Sequence, residues 1–132
     1  MERFFSKEFT YSNGNFEYTP TGWMKLKGLW HPLGYKVVTI ENISLGLRKN
    51  PTPLHFPDHE WVKMKKENLI YSDEDAGGIW TALKKSGGET LQKYMYNQYG
   101  KRTKIYLTAL LNPIFANSYR VKSQGVMLLE EI

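Results

Sequence analysis

Two histidines and two carboxylates fall within six residues, at His55, Asp58, His59 and Glu60. Zinc and non-haem iron sites draw on these ligand types. Such motifs hold their ligands on a helix or a stiff turn, however, and Pro57 in the middle of the run breaks any helix. The third histidine, His31, is distant in the chain, and solvated loop residues are the simpler account, so no metal is expected. The same three histidines would have to serve any hydrolytic chemistry. A serine or threonine nucleophile needs a base, yet the chain has no Gly-x-Ser-x-Gly elbow. The tripeptides His31-Pro32-Leu33, His55-Phe56-Pro57 and His59-Glu60-Trp61 also lack the His-x-Thr/Ser form of two-histidine phosphodiesterases. Paired carboxylates of the kind used in glycoside hydrolysis are available at Asp73, Glu74, Asp75 and at Glu130, Glu131. Both clusters read more simply as solvent-facing charge. No catalytic residue and no cofactor is expected.

Anion binding is the chemistry that the residues favour. Two glycine pairs, Gly77-Gly78 and Gly87-Gly88, allow close approach of backbone to a ligand. The second pair opens a helix, whose free N–H groups and partial positive charge suit phosphate. Neither pair carries the Lys-Ser/Thr of a P-loop or the Gly-x-Gly-x-x-Gly fingerprint. Lys101, Arg102 and Lys104 form one cationic run, and Arg120 with Lys122 another. In strands, alternate cations share a face, so two adjoining strands would line up four of them; a solvated outer face is the competing account. Arg48, ahead of a proline loop, offers a planar fork to a phosphate. Trp80, Phe115 and Tyr119 could stack on a base, with core packing the alternative for Trp80. Asn117 either reads an adenine or ribose edge or shapes a turn. The candidate ligand-binding set is therefore Arg48, Gly78, Trp80, Arg102, Phe115, Asn117, Tyr119 and Arg120.

The elements that must position these residues are mostly strands. Alternating aromatic and polar residues on both sides of Asn13-Gly14 predict a β-hairpin on a type I′ turn, part of an N-terminal arm over residues 1–33. Residues 20–34 read as an aromatic connector broken by turn formers. A compact domain is expected over 34–132, beginning with a buried strand at Tyr35–Ile40. Residues 43–48 are ambiguous between a helical turn and a bent strand, Asn50-Pro51-Thr52-Pro53 is loop, and Glu60–Lys65 is a candidate strand. An acidic loop, Tyr71–Gly78, precedes a short strand at Ile79–Leu83. Ser86 and Glu89 match a capping box, and Leu91, Tyr94, Met95 and Gln98 follow at helical spacing. Gly100 supplies a left-handed stop, which places the principal helix at about 87–99. Thr103–Leu111 reads as a strand halted by Asn112-Pro113, and Gln124-Gly125 as the turn of a closing hairpin. Strands around one helix make an α+β fold dominated by antiparallel sheet.

Composition agrees with this reading. The chain of 132 residues has no cysteine and a formal net charge of +5, with an isoelectric point near 9.3. Disulfide frameworks and thiolate metal sites are excluded, and the positive surplus favours anionic partners, whether nucleic acid, nucleotides or an acidic protein, with solubility alone the competing account. Neither a signal-peptide h-region nor a membrane-length apolar run is present, so the expected location is the cytoplasm, without a membrane partner. Nine Tyr, six Phe and four Trp supply either stacking faces or an oligomer interface. The apolar arm favours a homo-oligomer. Nucleic acid is the alternative partner to a small anionic nucleotide.

From Gly34 onwards the chain carries an ordered series of short motifs. They are Tyr35-Lys36-Val37-Val38, Ser44-Leu45-Gly46-Leu47-Arg48 with Asn50-Pro51-Thr52, Glu60-Trp61, Gly77-Gly78-Ile79-Trp80 with Ala82, Lys93-Tyr94-Met95, Tyr99-Gly100, and Ser118-Tyr119-Arg120 with Lys122. The series resembles small proteins of bacteria and their prophages, and among these the phage Thoeris anti-defence family that sequesters cyclic ADP-ribose signals. The resemblance covers about three-quarters of the chain and not the first 33 residues. It implies a non-catalytic sponge, an oligomer of dimers with pockets at subunit interfaces, and recognition by arginines and aromatic stacking, in the host cytoplasm. A second resemblance, to reduced ADP-ribosyltransferase-like domains, rests on the Tyr-Lys strand start, the Gly-Ile-Trp-x-Ala segment and the closing hairpin. Those enzymes use a His or Arg on the first strand and a late Glu. Tyr35-Lys36 stands in place of the first, and Glu130 or Glu131 would have to be the second.

Overall fold

The computed structural model describes residues 2–45 and 54–132. In chain order its strands are β1 (Arg3–Phe5), β2 (Tyr11–Ser12), β3 (Glu17–Tyr18), β4 (Gly22–Leu26), β5 (Leu29–Thr39), β6 (Trp61–Lys63), β7 (Ile79–Ala82), β8 (Thr103–Ala116) and β9 (Arg120–Glu131). One α-helix, α1 (Lys85–Tyr99), lies between β7 and β8. All strand pairings are antiparallel, so the fold is α+β with a mainly antiparallel sheet. No helix among the described residues is long and apolar enough to cross a membrane.

Pairing of β5 with β8, β8 with β9, β9 with β7, and β7 back to β5 closes a ring of four strands. β4 and then β1 extend the sheet from β5, and β6 adds to β9. Side chains alternate across a strand, and here both faces are covered. Val38, Tyr106, Leu110, Val121, Val126 and Leu128 pack with Phe56 and Ile79 on one face. Met24, Leu33, Leu107, Ala109 and Leu129 pack on the other. This explains why β8 from Ile105 to Leu110 is a continuous buried run rather than a half-polar alternation.

Several local expectations shift. The Asn13-Gly14 hairpin forms, but Tyr11 pairs with Tyr18, which leaves a four-residue loop in which the Asn13 side chain accepts from the Asn15 and Phe16 amides. Residues 20–34 are not a connector. They form the β4–β5 hairpin, turned at Lys27 and Gly28, both at positive φ. Met24 and Leu33 carry it into the core, so the first 33 residues continue the sheet of the rest. Asn112-Pro113 bends β8 at a bulge without ending it. Gln124-Gly125 lies inside the continuous β9, where a Cβ on Gly125 would stand 3.2 Å from Leu111 and 3.1 Å from Lys63. That glycine serves close strand packing, and the hairpin turn sits at residues 117–119.

Helix α1 starts at Lys85, two residues before the expected boundary, and no side chain caps it. The Ser86–Glu89 capping box is therefore not made. Gly88 is buried in the first turn because a Cβ there would strike Ile105 and touch Val37 at 3.6 Å. Close helix–sheet contact takes precedence over the capping signal. The buried stripe runs through Gly88 and Met95, with Leu91 and Gln92 partly covered, while Tyr94 and Gln98 of the expected face are exposed. Gly100 ends the helix at φ 63°, as its type requires.

β5 and β7 are in register only at Tyr35 and Ala82. Beyond that pair, the Lys36 ammonium donates to the Trp80 carbonyl at 2.8 Å and stands 5.5 Å from the Phe56 ring centre. The Lys36 residue keeps some accessible surface, but enclosure of its ammonium pushes the pKa down to about 8. The unfolded chain therefore holds a proton between pH 8 and about 10.5 that the folded one releases, and stability rises with pH across that window. Stability measured by denaturation is expected to increase by roughly 1–2 kcal/mol from pH 8 to 9.5. Lys36→Met should flatten this slope; a profile that is equally steep in the variant would assign it to another group.

Candidate functional site

Six of the expected ligand residues meet at one end of the ring, where β7, β8 and β9 lie side by side. Trp80 pairs with Lys122 and Ala82 with Arg120, which places both cations on the Trp80 face of β9. The Arg120 guanidinium stacks on the indole, 3.6 Å from its centre, and Phe115 meets the ring edge-on at 6.1 Å. The indole N–H donates to the Asp75 carbonyl at 3.1 Å, so the acidic loop folds back over this face. Below the loop, Lys122 is fully buried and donates to the carbonyls of Ile70 at 3.0 Å and Ala76 at 2.8 Å. Burial lowers its pKa, an effect that Glu74, Asp73 and Asp75 oppose and Arg120 reinforces.

Gly78 departs from its expected role, whereas Trp80 and Asn117 take the packing and turn-shaping alternatives. Gly78 is buried, and a Cβ there would overlap the Lys122 stem; it makes room for that lysine and does not face a ligand. Asn117 shapes the turn, because its Oδ1 accepts from the Tyr119 and Arg120 amides at 2.8 and 2.9 Å. Phe115 and Trp80 are packed against each other. Arg120 is paired with Asp75 at 3.4 Å. Tyr119, at 79% exposure, is the aromatic of this group with its ring open to solvent. Arg48 lies outside the described residues, as does the Asn50–Pro53 loop.

Arg102 is not part of this cluster. The two cationic runs do sit on adjoining strands, but β8 and β9 are antiparallel and Ala116 opposes Val121. Arg102 precedes the far end of β8, on the order of 40 Å along the strand from Arg120. The single four-cation surface is thereby excluded. Nor does the Gly87-Gly88 pair form a phosphate seat, since both amides bond to the Lys84 carbonyl.

At the Arg102 end, α1 and β8 diverge and leave an open groove of about 530 Å³. Lys93 and Asn97 project from the helix, Lys101 and Arg102 from the connection, and Lys104 from β8, with Tyr96 on one wall. Gln92 ties the floor together by donating to the Thr103 carbonyl at 3.2 Å. Lys104 leans on Tyr106, 5.3 Å from its ring centre. Cations near a helix C-terminus can simply answer its partial charge of about −0.5. Four of them, against the carboxylates of Glu131 and Glu41 at the margins, exceed that need. Sequence spacing flagged Lys101, Arg102 and Lys104. It missed Lys93, Tyr96 and Asn97, whose spacing on the outer face of α1 was the available signal.

Asp58 accepts from Asn42 at 3.1 Å, and the backbone of His55 bridges to Ile43. Among the described residues, no group of three or more His, Asp or Glu side chains could hold a metal ion. Comparison of the chain with models of protein families, with curated proteins and with solved structures finds no match.

Proposed function

We propose that this protein binds a small phosphate-bearing adenine nucleotide, of the cyclic ADP-ribose or cyclic nucleotide type, and holds it without converting it. The observation that carries the reading is the groove between α1 and β8. Its volume of about 530 Å³ lies within the range of small-ligand sites. Lys101 and Arg102 are exposed there, so they are available to phosphate oxygens, and Tyr96 and Asn97 offer a stacking face and an amide for a base. Non-conversion follows the family resemblance, which implies a sponge. The anti-defence role, a homo-oligomeric assembly and action in the host cytoplasm complete the proposal on the strength of the family resemblance.

A nucleic-acid-binding module is the second reading, favoured by the tyrosines of α1. Tyr94 and Tyr99 meet edge-to-face at 6.0 Å and remain 46% and 55% exposed beside the same cations. Calorimetric titration with cyclic ADP-ribose isomers, a cyclic dinucleotide and single-stranded DNA, repeated across salt, separates the two. Nucleotide binding with a shallow log–log salt dependence is the expected outcome, whereas a steep slope with DNA preferred would transfer the groove to the second reading. Arg102→Ala is expected to weaken nucleotide binding at least about tenfold, the scale of one charge-assisted phosphate contact. Arg120→Ala should leave binding in this groove unchanged.

A further inference from the structure

β1 is the outermost strand of the sheet, and among the described residues only β4 pairs with it. The Glu2 carbonyl accepts from the Lys25 amide at 2.8 Å, and Phe4 lies opposite Trp23, so Glu2 and Phe4 turn their backbone groups towards β4. In an antiparallel ladder the intervening residues turn theirs the other way. Arg3 and Phe5 therefore present N–H and C=O groups along the open edge, where a further strand can add.

The edge is apolar on both faces. On one, Phe4 meets Phe9 edge-on at 5.5 Å and Trp30 at 5.2 Å; Phe5 alternates to the other. Phe5, Phe9 and Trp30 remain 56%, 52% and 42% exposed. At roughly 200 Å² per aromatic side chain, these rings leave about 300 Å² uncovered, the scale of a contact patch. Arg3, the one charge on the strand, is answered by Glu130 of its own subunit at 2.7 Å.

We propose that β1 pairs with the β1 of a second copy about a two-fold axis at Phe4, joining two sheets into one. An antiparallel pair of identical strands is centred on a residue that faces itself, and charge selects which. Centring on Arg3 would oppose two guanidinium groups, which is unfavourable across a ladder. Centring on Phe5 would set Arg3 against Lys7, where the chain has already left the strand and the Glu8 amide bonds the Ser6 hydroxyl at 3.1 Å. Centring on Phe4 sets Arg3 opposite the second copy's Phe5 and Glu2 opposite its Ser6, with no like charges facing. It also brings the outward groups of Arg3 and Phe5 together as hydrogen-bonded pairs. The two Phe4 rings then meet across the axis, flanked by Phe9 and Trp30 of each copy. The proposal rests on the homo-oligomeric reading above and not on the ligand, and its interface lies in residues that the family resemblance does not cover.

The test is the mass of the full-length protein in solution, by sedimentation from micromolar to millimolar concentration. A weak dimer is expected, because the patch is smaller than a standard interface. Phe5→Pro removes an outward N–H and keeps those bonded to β4, a change that an edge strand tolerates. It should raise the dissociation constant about tenfold or more. The chain has no cysteine, so single-cysteine variants read the register independently, even if Phe5→Pro fails to fold. Phe4→Cys faces itself in a non-hydrogen-bonded pair, with Cβ atoms about 4.5–5.5 Å apart, and should oxidise readily to a linked dimer. Ser6→Cys, set roughly 14 Å from its copy by the same register, should not. A parent that stays monomeric throughout the range would overturn both this proposal and the homo-oligomeric reading. A dimer that a folded Phe5→Pro leaves at full strength, or Phe4→Cys that cross-links no faster than Ser6→Cys, would overturn this interface alone.

Discussion

Lys122→Met is expected to destabilise the protein by about 2–4 kcal/mol, measured by chemical denaturation at neutral pH. Methionine preserves the volume of the stem, so packing against Trp80 and Gly78 is retained. What is lost is the donor shared by the Ile70 and Ala76 carbonyls, each of which then needs a new partner. Relief of a buried charge works in the opposite direction. It is expected to be the smaller effect, because the field of Glu74, Asp73 and Asp75 offsets part of the burial cost. Hydrogen exchange should show the loss concentrated in residues 69–78. A variant within about 0.5 kcal/mol of the parent would mean that the loop is held by other contacts.

Gly77→Ala is expected to be at least as damaging, at about 3–5 kcal/mol. Gly77 has φ +80°, a conformation in which an L side chain is strained by ~1–2 kcal/mol. Its position adds a second cost. A Cβ would overlap the side chain of Ile70 and stand 2.6 Å from the Ile70 backbone nitrogen, the amide that bonds the Gly77 carbonyl. Backbone cannot step aside as a flexible side-chain end can, so the base of the loop must open. Gly14→Ala provides the comparison: its φ is also positive, but nothing lies near the added Cβ, and it should lose only the conformational part. Equal effects at the two positions would contradict the steric argument.

Local signals in the sequence carried the elements well where geometry is local. Gly100 stops α1 because a left-handed residue is needed there, whatever the rest of the chain does. The short strand after Gly78 and the hairpin around Asn13 follow from the same kind of chemistry. Errors arose where a distant partner sets the outcome. Gly125 looks like a turn residue until Leu111 and Lys63 are found pressed against it from both sides. Gly88 looks like a helix start until Ile105 is seen to need its missing side chain. The grouping of Trp80, Phe115, Asn117, Tyr119 and Arg120 was legible, because the residues lie on three adjoining strands and the turn that joins two of them. Alternation placed Arg120 and Lys122 on one face, yet it could not tell that their carboxylate and carbonyl partners come from the loop before β7. The separation of Arg102 from Arg120 depends on strand direction and register, which alternation does not encode.

The central claim is that the α1–β8 groove binds a small nucleotide and returns it intact. The most direct measurement is to load the protein with cyclic ADP-ribose isomers and, separately, cyclic dinucleotides. Unbound ligand is then removed, the complex is heat-denatured, and the released ligand is identified by mass spectrometry. The account predicts recovery of at least one of these nucleotides, chemically unchanged and close to one per site. Recovery should fall to about a tenth or less in a Lys101→Ala, Arg102→Ala double variant that folds like the parent. Release of a converted product, no retained nucleotide from any of the ligands, or equal retention by the double variant would contradict it.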